Sequence, residues 1–511
     1  MNETRRDFLK KTGGCALGMV SLATQMHHLG TMSAMAQKVI DSQPEGGESY
    51  KALVLVFWAG GNDGNNIVIP NHEDSFASRY SDYFAARNNQ GLALAQNTLL
   101  PISVPRINNL TYGLHPNMGQ LTQNGTTIVN NGIHELYGQG NLAVVANVGN
   151  LVRPLTKAQY QSSSFQKPYQ LFSHSDQVNE SQNANAAAQT FTGWGGRVSD
   201  KLTAGQNPNG LVPMVTSIAG AQLFTAGQTT LPVAIAAANN TGTPNLATVL
   251  SPAGFGTPVA GSNLARLNAF NALRMQDLSS NYIAAASHVT DLAMQANNAL
   301  QTSQEVTALF PNTSIGLQLK QVARLIKKRL DLNVNRQIFY VQLGGFDTHT
   351  NQLSETGGQN ARIREFSQAM RSFYDEMVLQ GINNDVTTFT LSDFGRTLNP
   401  AGTGAGIVGS DHAWGNHMFV MGGSVAGGNL YGSLRPDGSG NYFPTLTFAG
   451  LDDTDTGSGA RGRWIPTTSV DQYAAQMARW FGLPQDAATL SSVFPNLANF
   501  PGSFSQLGFL P

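Results

Sequence analysis

Aspartates and histidines, residues of metal-ligand type, stand in four short segments: Gly60-Gly61-Asn62-Asp63-Gly64-Asn65, Gly344-Gly345-Phe346-Asp347-Thr348-His349, Ser392-Asp393-Phe394-Gly395-Arg396 and Asp411-His412-Ala413-Trp414-Gly415-Asn416-His417. Asp63, Asp347, His349, Asp393 and His412 offer carboxylate oxygens and imidazole nitrogens, the donors that Zn²⁺, Mg²⁺, Mn²⁺ or Ca²⁺ sites use. Asp347-x-His349 places two donor types on one loop, where both can close on one ion. His417 is a weaker ligand candidate than His412, and His72, His134 and His288 lack supporting motifs and read as structural. For a nucleophile, Phe172-Ser173-His174-Ser175-Asp176 presents Ser173 at the start of a helix, where the dipole favours an anion. A Ser there is equally suited to cap the helix, and Ser175 lies two residues on. The motifs G-x-S-x-G, G-x-x-x-x-G-K-[ST] and H-E-x-x-H are absent, which excludes a standard α/β-hydrolase, P-loop NTPase or zincin. Asp452-Asp453-Thr454-Asp455-Thr456-Gly457 looks like half a calcium loop, but its Gly register is wrong and no terminal Glu follows, so a surface loop is expected.

The candidate ligands need elements to hold them together. Ala52–Phe57, Leu142–Val148, Ile338–Leu343 and Val386–Leu391 are short apolar or β-branched runs, the pattern of strands buried on both faces of a parallel sheet. Met418–Met421 reads as a further strand. Ile363, Phe366, Met370, Phe373 and Met377 recur at helical spacing, so 360–381 is an amphipathic connecting helix, and Val470 to Phe481 marks a terminal one. Residues 205–260 read as hairpins and loops inserted in the framework, and 262–333 as a helical segment. This alternation favours one large three-layer α/β domain. The segments at 60–65, 344–349 and 392–396, with Gly149-Asn150, follow strands, while Asp411–His417 precedes Met418–Met421, and in an open parallel sheet the ligand crevice lies at the carboxyl ends of the strands.

Composition narrows the partners. The 511 residues carry 30 Lys+Arg against 31 Asp+Glu, and only 12% are charged. A chain with no basic excess has little with which to displace counterions from a phosphate backbone, so nucleic acid is excluded as a partner. No apolar run is long enough to span a bilayer. The start, Thr4-Arg5-Arg6-Asp7-Phe8-Leu9-Lys10, with a mildly apolar stretch and Ala34-Met35-Ala36, reads as a twin-arginine export signal over 1–36. The translocase of that pathway is then a partner during export, and a periplasmic or extracellular location is expected. The single cysteine, Cys15, falls inside the signal, so residues 37–511 hold none and any metal there has imidazole and oxygen ligands.

The motifs above, together with Leu53 to Asn66, Gly113-Leu114-His115-Pro116, Gly193-Trp194-Gly195-Gly196-Arg197, Trp480-Phe481-Gly482 and Val493-Phe494-Pro495-Asn496-Leu497, occur in an order that resembles the domain-of-unknown-function 1501 family. The resemblance spans nearly all of 37–511. That family looks like a branch of the alkaline phosphatase-like superfamily of phosphatases, sulfatases and phosphomutases. It implies a three-layer α/β/α sandwich with a mainly parallel sheet, loop and helical insertions, and a centre of one or two divalent ions. By position, Asp63 resembles the first-strand metal Asp, Ser173 the nucleophile, Asp347 and His349 one ion's ligands, Asp393 the second ion's Asp and His412 a late His of the first site. Arg396, with Arg153 or Arg197 behind it, is the implied oxyanion binder. Phe394 departs from the family's superfamily pattern, which commonly has His there, and cannot ligate. The implied activity is metal-dependent hydrolysis of phosphate or sulfate esters of small molecules or polysaccharides. The alternative is a secreted binding or assembly protein that keeps the scaffold without turnover.

Overall fold

The computed structural model describes residues 49–120, 132–230, 232–239, 261–274, 305–401, 408–500 and 507–511, with scattered positions between them. The segment expected to be an export signal, with Arg5, Arg6 and Cys15, lies outside the described residues, as do His288 and 240–260.

A nine-stranded sheet organises the chain. In chain order its strands are β1 (Lys51–Trp58), β2 (Leu142–Gly149), β3 (Val215–Ser217), β4 (Val233–Ala234), β5 (Arg336–Leu343), β6 (Val386–Ser392), β7 (Asn416–Met421), β8 (Leu430–Tyr431) and β9 (Thr468–Ser469). Across the sheet they run β8-β2-β7-β6-β1-β5-β3-β4, with β9 beside β2. β7 is antiparallel to both neighbours, β6 and β2; every other pairing is parallel. β1 lies at the centre, paired over its length with β5 and nearly so with β6.

Its sequence accounts for that place. From Ala52 to Trp58 each side chain is apolar and buried, and because successive side chains point to opposite faces, the strand supplies two cores. Val54, Val56 and Trp58 join a core with α4 (Ser314–Lys327) and α5 (Gln359–Leu379). Leu53, Leu55 and Phe57 join a second core with α3 (Trp194–Gln206) and α6 (Val470–Phe481). The result is helices on both faces of a mainly parallel sheet. Two smaller helices matter below, α1 (Tyr80–Arg87) and α2 (His174–Asn183).

The structure places parts of two further segments. Segment 205–260 is not wholly an insertion: β3 extends the main sheet against β5, and β4 extends it again. Within 262–333, α4 is a layer helix packed on the sheet. Among the described residues no helix is long and apolar enough to cross a membrane.

In the first turn of α6 stands Asp471, fully buried, whose carboxyl accepts from the Asn496 amide at 3.2 Å. Burial pushes this carboxyl up to about 8, against the Asn496 hydrogen bond and the Arg197 charge. An unfolded Asp ionises near pH ~4, so between there and about 8 the unfolded chain releases a proton the folded chain keeps, and stability falls as pH rises through that window. Asp471→Asn removes the dependence. Thermal denaturation is expected to show its Tm, relative to the parent, rising by several degrees between acid and mildly alkaline buffer; an unchanged difference contradicts the assignment.

Candidate metal centre

The ends of β1, β5 and β6, the loop before α2 and a ribbon of Arg396–Ala401 with Gly409–His412 meet at the carboxyl side of the sheet. After β1 the chain turns through Gly60 (φ +113°) and Gly61 (φ +72°). A Cβ at Gly60 would stand 2.5 Å from the Asp347 amide nitrogen, so only glycine lets the β1 and β5 loops approach this closely. In the ribbon, Arg396 pairs with His412, which sets the guanidinium and imidazole side by side in the structure.

Three imidazoles and one carboxylate converge. His412 Nε2 lies 3.1 Å from Nε2 of His174 and 3.1 Å from Nε2 of His349. Asp347 Oδ1 is 3.5 Å from His174 Nε2, 3.0 Å from His349 Nε2 and 3.5 Å from His412 Nε2. The ligand atoms of His174, Asp347 and His412 all lie within 4.8 Å of one another.

The opposite edge of each ring decides what these nitrogens can do. His174 Nδ1 faces Asp393 Oδ2 at 2.7 Å, His349 Nδ1 faces Asp411 Oδ1 at 3.1 Å, and His412 Nδ1 faces the Phe172 carbonyl at 2.8 Å. All three partners are acceptors, so each Nδ1 carries the proton and, in the neutral ring, each Nε2 presents a lone pair. Lone pairs facing one another at 3.1 Å repel unless a cation or proton lies between them. Donors around a tetrahedral zinc with bonds of 2.0–2.1 Å stand about 3.3 Å apart, which these separations straddle. Nδ1 held by a carboxylate or carbonyl while Nε2 binds is the usual outer support of a metal-bound His. The donor set therefore fits a divalent ion, and its three nitrogens suit zinc better than magnesium or calcium, which take oxygen.

The neighbouring groups shift the ionisation of these side chains in different directions. The Asp393 hydrogen bond raises His174, with burial opposing. Burial lowers His412, and Arg396 and the two neighbouring imidazoles add to it. Burial acts to raise Asp347, but the Arg396 hydrogen bond and charge outweigh it and hold the carboxyl below its ordinary value. Asp347 and His349 are 49% and 45% exposed, so the cluster opens to solvent on their side. Phe394 closes the other flank, its ring centroid 4.7 Å from His174 and 4.7 Å from His412.

Several sequence assignments are revised. Asp63 does not join the cluster. It is fully buried, ion-paired with Arg87 of α1, and accepts from Gln352 Nε2 at 2.5 Å and from the Asn65 amide. Asp393 stands behind a ligand and not in the ligand set: its oxygens accept from the Gly60 and Gly61 amides as well as from His174. Arg396 has no nitrogen left for a substrate, since Nε donates to Gly61 O, Nη1 to Ser410 O and Nη2 to Gly60 O, Phe346 O and Asp347 Oδ1. Arg197 is likewise engaged by the carbonyls of Asn183, Thr192 and Val493. Ser173 is the N-cap residue of α2, and its hydroxyl donates to Asp176 Oδ2 at 2.6 Å. Asp347, His349 and His412 are brought together. The residues that sequence reasoning passed over are His174 and Asp411, each adjacent to a residue it selected. His417 is buried, stacked on Phe443 and away from the cluster.

The family model that describes a protein of unknown function, DUF1501, matches residues 50–472. The chain belongs to that family. No curated protein matches the chain. Among solved structures, similarity is found to the lipoteichoic acid synthase LtaP from Listeria monocytogenes, at 10% identity, TM-score 0.27, covering 81% of this chain and 74% of that one. A second is the PsFucS1 sulfatase from Pseudoalteromonas sp., at 9% identity, TM-score 0.27, covering 79% of this chain and 68% of that one. For this DUF1501 member, the outer-partner role of Asp393 has a direct consequence. Asp393→Asn is expected to weaken zinc binding about 10- to 100-fold, measured by chelator competition, with His174→Ala weakening it further and Ser173→Ala leaving it within about twofold. A Ser173→Ala loss as large as that of His174→Ala contradicts the ligand set.

Proposed function

We propose that this chain is an exported hydrolase of phosphate or sulfate esters that works with one divalent ion, zinc by its donor set. The observation that carries the reading is the meeting of His174 Nε2, His412 Nε2 and Asp347 Oδ1, with His349 Nε2 beside the last two, each ring held by an acceptor on its far side. Residues His174, Asp347, His349 and His412 hold the ion. When bound, a divalent ion there supplies Lewis acidity toward an ester oxygen and charge stabilisation for the transition state.

The protein's own groups do the rest. Asp393 and Asp411 fix two ring orientations, and Asp347 is kept ionised by Arg396. Phe394 fills the flank between His174 and His412, which supports one ion over two. The half-exposed edge at Asp347 and His349 admits an ester from solvent. Ser173, which caps α2 beside ligand His174, is the attacking group of this reading: Asp176, in hydrogen-bond contact with its hydroxyl, takes the proton as the Ser173 oxygen bonds to phosphorus or sulfur and the ester bond to the alcohol breaks, the departing alcohol takes that proton, and water then hydrolyses the seryl ester. The ordered motif resemblance and the twin-arginine start support the ester chemistry and export of the folded chain.

A second reading is favoured by Phe394 and by the fully engaged Arg396: a secreted binding or assembly protein built on a hydrolase scaffold. Metal analysis of exported protein together with a panel of aryl phosphates and sulfates separates the two. The enzyme reading expects about one zinc per chain, turnover lost on chelation, and loss in Asp347→Ala of at least ~100-fold. Ser173→Ala is expected to lose turnover while keeping zinc. Zinc-loaded protein inert toward the whole panel, with Asp347→Ala lowering only Tm, favours the binding protein.

A further inference from the structure

Beside the centre stands a cation that no step above uses. The guanidinium of Arg463 stacks over the Phe172 ring, 4.3 Å from carbon to centroid, and Phe172 is the residue whose carbonyl holds His412 Nδ1. Asp411, which holds His349, is near enough to act on the charge of Arg463. The Arg463 side chain is only 14% exposed, and its counter-ion Asp455 stands off at 3.9 Å. Its Nε is buried with no hydrogen-bond partner among the described residues. Burial, and then the neighbouring Arg461 charge, lower the guanidinium's pKa, as expected of a cation short of negative charge.

The backbone carrying Arg463 is held firmly. Asp453, fully buried, accepts from the amides of Ala449, Asp455, Gly462 and Arg463. Asp453 also bridges Trp464 in antiparallel fashion. The segment expected to be a surface loop is thus anchored by a buried carboxylate at its centre. Across from it, Phe172 adopts φ +73°, uncommon for a bulky residue, with its carbonyl on His412 and its ring under Arg463.

Charge points the same way. With neutral imidazoles, Asp347, Asp393 and Asp411 against Arg396 and Arg463 leave the centre one charge negative, which attracts a divalent ion. Once that ion is bound the centre is one charge positive, which attracts an anion. A planar guanidinium that keeps 14% of its side chain exposed and has its carboxylate counter-ion at 3.9 Å carries a charge that an oxyanion can pair with.

We propose that Arg463 binds the anionic group of the substrate, phosphate or sulfate, beside the metal centre, taking the role that Arg396 is structurally unable to fill. The proposal rests on the metal-centre reading above. The test uses full-length, zinc-loaded protein, titrated separately with inorganic phosphate and inorganic sulfate by calorimetry, with zinc content measured in each sample. Arg463→Gln is expected to weaken binding of the preferred anion about 10- to 100-fold at unchanged zinc content, while Arg461→Gln, whose guanidinium is paired with Asp455 and more exposed, changes it by less than about threefold. Arg463→Lys keeps the charge without the planar fork and serves if Arg463→Gln does not fold; it is expected to weaken binding about three- to tenfold. Parent-like anion affinity in either folded Arg463 variant at full zinc content overturns the role of Arg463 alone. Failure of the parent to bind zinc overturns the metal reading and this proposal with it.

Discussion

The arrangement around the candidate centre depends on one buried guanidinium. Arg396 is almost fully shielded from water, and an unpaired guanidinium there would cost several kcal/mol, so each of its nitrogens must find an acceptor in the protein. It finds them on three separate pieces of chain: Gly60 and Gly61 after β1, Phe346 and Asp347 after β5, and Ser410 on the ribbon. The planar fork cannot satisfy these acceptors unless the loops stand at fixed distances from one another. Gly60 and Gly61 make that approach sterically feasible, and their amides hold Asp393, which in turn holds His174. Asp63 has a similar task one layer away, balancing buried Arg87 and binding Gln352.

From that frame follows the chemistry of the imidazoles. A histidine at the surface can present either nitrogen; here Asp393, Asp411 and the Phe172 carbonyl each require a proton on Nδ1 and leave Nε2 free. The open side at Asp347 and His349 and the apolar wall of Phe394 then divide the cluster into a face for exchange with solvent and a face without it. In a chain where only 12% of residues are charged, this concentration of carboxylates and guanidiniums at the strand ends is a costly local feature that the two flanking cores support.

Much of the scaffold is legible along the chain because its signals are local. The apolar run from Ala52 to Phe57 cannot be placed with one face in water, so it reads as a central strand, and the three-and-four spacing from Ile363 to Met377 reads as a layer helix. Val215–Ser217 and Val233–Ala234 are too short to carry a pattern; their place in the sheet comes from pairing with β5 and with each other. For the site, Asp347 and His349 are legible from donor type and position after a strand, and His412 from the local density of His, Asp and Gly. His174 is not, because its neighbour Ser173 has the residue type expected of a nucleophile and a cap, and nothing in the local sequence says which of the two side chains faces the cluster.

By itself the sequence determined the alternation of strands and helices, the sharp glycine turn after β1, the family and the absence of thiolate chemistry beyond Cys15, since each is a property of residue type or of spacing along the chain. Only the tertiary structure decided the work of the individual polar groups. Asp63 and Asp393 have the composition of ligands and Arg396 that of an anion binder, but burial obliges them to satisfy nearby partners first, and those partners come from segments up to hundreds of residues apart. A carboxylate's role depends on which hydrogen-bond donors and charges fill the few ångströms around it, and that neighbourhood exists only once the chain has folded.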